Sequence, residues 1–144
     1  MGGALAGHNP FVGLHPTEGF VSQDLKSLAD APYELADAVR EFFPSDQWDA
    51  AASIAYLESG WQPFALADST DADHPCGTPV GDRDGVVVTA ERSIGFFQIN
   101  SCNFPDWEWQ RLYNARHNVG TAHMLWDERG WQPWFFSATA LGLL

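Results

Sequence analysis

The stretch S-D-Q-W-D-A-A-A-S-I-A-Y-L-E-S-G-W, residues 45 to 61, decides how the rest of the chain is read. Ser45 and Asp46 supply an N-terminal cap and a dipole-compatible acid, and Trp48, Ala51, Ala52 and Ala55 form an apolar stripe at helical spacing. A helix is expected to about Ser59. Glu58 lies three residues after Ala55 and seven after Ala51, so it continues the inward stripe instead of the wet face. A carboxylate aimed at a core carries a desolvation cost and needs a reason. From periodicity alone two readings stand, a solvated acid at a helix end and a buried acid with a task.

Upstream, Leu35, Val39 and Phe42 predict a helix over Pro32 to Phe43, with Asp30 able to cap its start and Pro44 closing it. Residues 1 to 30 are rich in Gly and Pro and read as an arm or irregular lead-in, packed on the domain or on a neighbouring subunit. The domain proper is taken as residues 31 to 144. Downstream of Gly60, A-D-S-T-D-A-D-H-P-C-G-T-P-V-G-D-R-D-G has too many turn formers for helix and reads as loop. Val86 to Thr89 then favour a strand, and S-I-G-F-F-Q-I-N a second one interrupted by Gly95, which together suggest a small sheet or hairpin.

A short helix from Pro105 and Asp106 through Tyr113 is expected next. A longer one follows from about Ala115 to Arg129, with Val119, Ala122, His123 and Trp126 on one side and Gly130 ending it. The apolar remainder closes as a packed helix after Pro133. Helices, a small β region and helices again indicate an α+β fold, mainly helical.

The 144 residues suit one core, and seven Trp with ten Phe offer apolar surface both for that core and for stacking on carbohydrate. A formal charge of −12 opposes binding to nucleic acid and gives repulsive steering toward any anionic surface. No apolar run approaches the roughly 20 residues that span a bilayer, so membrane insertion is not expected. The start, M-G-G-A-L-A-G-H-N-P, reads as lacking a signal peptide. Maturation in a reducing compartment would follow, which favours unlinked thiols at Cys76 and Cys102, with a disulfide between the two as the alternative.

Four pieces then occur in a telling order: L-E-S-G-W-Q-P, S-I-G-F-F-Q-I-N, L-Y-N-A-R-H-N-V-G-T-A and G-W-Q-P-W. Together they resemble the lysozyme and soluble lytic transglycosylase superfamily. The first is similar to its E-S-x-x-x-P, whose Glu is catalytic and falls on Glu58. The second is similar to S-x-G-L-x-Q-I, falling on Ser93, Gly95, Phe97, Gln98, Ile99 and Asn100. The third resembles the L-x-D-P-x-x-N-x-x-x-A helix start, giving Asn118 and Ala122, and the fourth a closure frequent in bacteriophage members. The pieces span residues 45 to 136.

The resemblance implies a lysozyme-like fold with a small β region forming one wall of a cleft. It also implies a glycosidase-type muralytic enzyme, a lysozyme or lytic transglycosylase, cleaving the β-1,4 bond between N-acetylmuramic acid and N-acetylglucosamine in peptidoglycan. Glu58 would be its general acid, and no cofactor is expected. Cell wall degradation by a bacteriophage protein follows, either a virion or tail component or an endolysin held in the host cytoplasm before release. Other virion or tail proteins would be its partners. The competing expectation is a catalytically silent phage structural protein that keeps the fold.

Residue chemistry bears on the same positions. Protonating a leaving glycosidic oxygen near neutral pH needs a carboxyl whose pKa burial has raised. Trp61 offers a low-dielectric wall and a stacking face, Gly95 a close backbone approach to sugar, and Gln98 and Asn100 amide groups for hydroxyl or acetamido contacts. Gln98 and Ser93 read equally well as satisfying turn backbone, Asn118 more readily as fixing a helix start, and Trp131 and Trp134 as core. The gap between Glu58 and Ser93 exceeds the compact family pattern and carries many acids. Asp82, Asp84 and Glu91 are the candidate second carboxylates for a hydrolase, whereas a transglycosylase needs none. The same acids offer oxygen ligands for calcium, and His74 with the two cysteines ligands for zinc, but neither ligand pattern is complete, so no metal is expected.

Overall fold

The computed structural model describes residues 23–105 and 108–144. The arm over residues 1–22 and the start of the helix expected at Asp106 lie outside the described residues. What is described of the lead-in, residues 23–30, is tied to the domain by backbone donors. Gln23 N bonds Ala140 O at 2.6 Å, Lys26 N bonds Ser53 Oγ at 2.6 Å, and Leu28 N bonds Asp49 Oδ1 at 2.9 Å. Leu28 is buried in the core. The packed unit therefore begins before residue 31.

Helix α1 runs Tyr33–Phe42 and helix α2 Trp48–Ser59. Neither uses the cap the sequence offered. Asp30 lies in a 3-10 turn, Leu28–Asp30, and α1 starts behind Pro32 with no side-chain cap. Ser45–Gln47 is likewise a 3-10 turn, and Gln47 precedes α2 without capping it. In both places a tight turn followed by tertiary packing sets the start of the helix. The stripe on α2 also understates its burial. Ala50 through Ala55, Leu57, Glu58 and Ser59 are all buried, so α2 is a central helix enclosed on nearly every side. Small alanines make this work, because they let α1, the lead-in and the C-terminal segment approach closely. Gly60, in the left-handed region at φ 62°, ends the helix.

The expected loop after Gly60 contains two strands that turn-former content concealed. Strand β1, Leu66–Asp68, pairs antiparallel with β4, Arg92–Ile94, which in turn pairs with β5, Ile99–Asn100. Strand β2, Pro79–Arg83, forms a separate hairpin with β3, Val86–Thr89. Asp84 and Gly85, at φ 52° and 81°, close that hairpin, and Asp82 Oδ1 accepts from Gly85 N at 3.1 Å. An Asp-Gly pair with both residues at positive φ is the two-residue turn that matches strand twist. The hairpin overturns the reading of G-D-R-D-G as loop.

Cys76 and Cys102 form a disulfide, the less favoured of the two expectations. It staples the excursion between β1 and β2 to a 3-10 turn, Ser101–Asn103, that follows β5. The expectation rested on compartment, and proximity in the fold overrides it.

Helix α3 spans Ala115–Arg129 and packs against α1. Asn114 caps it, its Oδ1 accepting from His117 N at 3.0 Å. Before it, Trp109–Tyr113 is 3-10 rather than α. The chain closes with a 3-10 turn, Gln132–Trp134, and helix α4, Phe135–Ala140. Phe43 is the hub of the core, 5.7 Å from Trp131, 5.5 Å from Trp126 and 6.2 Å from Phe97 between ring centres. The result is α+β with helix dominant and a small antiparallel sheet. Among the described residues no helix is long and apolar enough to cross a membrane.

Candidate functional site

Glu58 sits in the last turn of α2 and is 2% exposed. Helix α4 lies against that turn and brings Ser137, whose Oγ donates to Glu58 Oε2 at 2.7 Å. Burial raises the Glu58 carboxyl from its ordinary 4.5 to about 7. The Ser137 hydroxyl opposes that rise by favouring the ionised form; the negative charge of Glu91 adds to it and the positive charge of Arg83 opposes it. A carboxyl in this state gives up or takes a proton near neutrality, which an ordinary surface Glu does not.

The β region and the C-terminal helices line a cleft of about 340 Å³. Glu91, Gln98 and Asn100 line it from the β side, and Thr121, Arg129 and Trp134 from the helical side. Glu58 itself is not among the lining residues. Glu91 connects the two, since it lines the cleft and its charge acts on Glu58. Its Oε1 accepts from Ser93 Oγ at 2.6 Å, and Ser93 is fully buried in β4. Asp82 and Asp84 lie instead at the exposed tip of the β2–β3 hairpin. Of the three candidate second carboxylates, the fold brings Glu91 to the cleft.

The turn between β4 and β5 orders the remaining candidates. Gly95 has φ 80°, and a Cβ there would stand 2.3 Å from Asn118 Nδ2 and 2.8 Å from Leu112 O. Its bareness serves the approach of the α3 start rather than of a sugar, a correction to the expected role. Asn118, 1% exposed, accepts from Phe97 N at 3.0 Å and donates to Ile94 O at 2.8 Å and Leu112 O at 2.9 Å. It clamps the turn to α3, in line with the structural reading. Gln98, at φ 49°, folds its amide back onto Ala65 O at 3.2 Å and Gly95 O at 3.1 Å while still lining the cleft. Asn100 lines the cleft too, with its Oδ1 accepting from Cys102 N at 2.9 Å.

Two expected binding residues point elsewhere. Phe97 is fully buried among Phe43 and Trp134, so it presents no face to a ligand. Trp61 turns back on α2, donating from Nε1 to Ala52 O at 2.9 Å and packing edge-on to Tyr56 at 5.0 Å. Its positive φ of 64°, directly after Gly60, reverses the chain and sends the indole onto the helix. Trp131 and Trp134 are core, as read, although Trp134 also floors the cleft.

Ser137 and Arg83 were missed. Ser137 stands in an apolar run with no motif of its own, and only the packing of α4 on α2 reveals its partner. Arg83 lay in a segment read as loop, so its direction was not legible. Among the described residues no three His, Cys, Asp or Glu side chains gather to hold a metal, and the disulfide removes the two thiolates a zinc site would have used. Compared with known proteins, the chain matches no family model, no curated protein and no solved structure.

Proposed function

We propose that the protein is a peptidoglycan-degrading enzyme of lysozyme-like fold, in which Glu58 protonates the glycosidic oxygen between N-acetylmuramic acid and N-acetylglucosamine. The observation that carries this reading is a buried carboxyl raised to about 7 whose titration feels the charge of a second carboxylate, Glu91, in the wall of a cleft. Below about pH 7 Glu58 holds its proton and delivers it as the bond to the leaving sugar breaks. The second step takes one of two courses. In hydrolysis Glu91 takes a proton from water as its oxygen attacks the anomeric carbon. In transglycosylation the sugar's own 6-hydroxyl attacks and the ionised Glu58 takes that proton back.

The placement of Glu91 favours hydrolysis. Ser93 fixes its orientation, as a general base requires. The four sequence pieces resembling the muralytic superfamily support the substrate class, and the acidic charge suits a phage virion or tail component, where assembly supplies local concentration in place of electrostatic steering.

A second reading, a catalytically silent structural protein, draws on the 2% exposure of Glu58 and its absence from the cleft lining. Incubation of the protein and its Glu58→Gln variant with peptidoglycan sacculi, followed by mass spectrometry of soluble fragments, separates the readings. Release above the variant supports the enzyme, with reducing ends marking hydrolysis and 1,6-anhydro ends transglycosylation. No release above the variant leaves the silent reading.

A further inference from the structure

The cations of this acidic chain divide into two groups. Arg92, Arg111, Arg116 and Arg129 each stand within 4.0 Å of a carboxylate. Lys26 and Arg40, which lie over the rings of Tyr56 and Trp48, have no such ion pair among the described residues, and neither has Arg83. Its guanidinium lies over the ring of Phe136, 4.3 Å from the centre. Phe136 immediately precedes Ser137, the residue that holds Glu58. The β2–β3 hairpin therefore reaches across to α4 and delivers one positive group to the immediate surroundings of the buried acid. Arg83 is half-buried at the end of β2, next to a turn whose two aspartates, Asp82 and Asp84, are exposed. Strand alternation sends the Asp82 side chain to the other face from that of Arg83, and Asp84 belongs to the turn beyond the strand.

A guanidinium stacked on an aromatic face is held in plane, while its N–H groups remain directed outward around the edge. That geometry suits bidentate capture of a carboxylate. In a chain with a formal charge of −12, a cation so placed without a carboxylate partner selects for an anionic ligand arriving from outside.

We propose that Arg83 is a specificity-determining residue that binds a carboxylate of the glycan substrate, next to Glu58. This rests on the muralytic reading of the site. Two carboxylates on such a glycan share this chemistry, the lactyl group of a muramic acid stripped of its peptide and the carboxylates of the stem peptide. A neutral chitooligosaccharide carries neither.

The test is equilibrium binding of three probes to the intact chain and to its Arg83→Met and Arg83→Lys variants, by calorimetry at fixed salt. The probes are N-acetylglucosamine hexamer, amidase-stripped glycan strands and glycan strands with stem peptides. Methionine keeps apolar contact with Phe136 and removes the charge; lysine keeps the charge. Loss of one charge-assisted contact corresponds to about a tenfold rise in Kd. That rise is expected for Arg83→Met on one anionic probe or both, with the hexamer unchanged and lysine recovering part of the loss. The stripped strands responding alone assigns the lactyl group, and the peptide-bearing strands alone the stem peptide. Equal effects on all three probes, or none on the anionic ones, overturn the inference, as does a wild type that binds no anionic probe. Fragment release from sacculi is read in parallel. Absence of turnover with the Arg83-dependent binding intact defeats the enzymatic reading and leaves this one standing.

Discussion

Substituting Glu58 by Gln turns the proposed chemistry into a question about stability. The folded carboxyl titrates at about 7 instead of 4.5, with burial as the main cause. At about 1.36 kcal/mol per pH unit, that displacement amounts to about 3 kcal/mol. The sign follows from proton counting. Between 4.5 and about 7 the folded state holds a proton that the unfolded chain has released, so rising pH favours unfolding over that window. Above about 7 the penalty is constant, because both states are ionised.

Glutamine keeps an oxygen to accept from Ser137 and has no charge to bury. Relative to wild type, Glu58→Gln is therefore expected to gain about 3 kcal/mol between pH 4 and pH 8. At roughly 3 °C per kcal/mol for a chain of this size, this is a relative rise in Tm of about 10 °C. Thermal melts of both proteins by circular dichroism across that range, compared as differences, isolate Glu58 from every other titrating group. A difference in Tm that stays flat with pH would mean that the folded carboxyl ionises at its ordinary value. It would then carry no proton at neutrality, and the general-acid role would fall with it.

Ser137→Ala removes the hydrogen bond that favours the ionised form of Glu58, so the alkaline limb of the pH profile of fragment release should move to higher pH, as followed by turbidity of sacculi suspensions. Asn118→Ala strands Phe97 N and two carbonyls in the core; a loss of about 3 kcal/mol or more is expected in urea unfolding, and a loss under about 1 kcal/mol would show that the turn holds without its clamp. Reduction of the Cys76–Cys102 bridge frees a loop of sequence separation 26 and should cost about 3 kcal/mol, with faster amide exchange over residues 98–104 of the cleft wall.

Periodicity sufficed wherever one helix face met one core. The Leu35, Val39 and Phe42 repeat and the run from Ala115 to Arg129 appear as helices, with Gly130 at the end of the second. Glu58 was legible as an inward acid because its position relative to Ala51 and Ala55 is fixed by the turn of one helix. Helix starts were less legible, since Asp30 and Ser45 fit the cap pattern but tight turns and packing set the boundary instead.

Long-range pairing was not written in local pattern. Strands β1 and β2 are short and polar and exist because β4 and β3 lie opposite them. The disulfide depends on a proximity that residue spacing does not encode. The same holds for the acid's surroundings. By itself the sequence determined that Glu58 lies on the inward stripe of α2, and packing buried it. The tertiary structure decided that α4 supplies its hydroxyl, that Glu91 rather than Asp82 or Asp84 faces the cleft, and that Arg83 reaches α4, because each depends on segments far apart in the chain that meet only through packing.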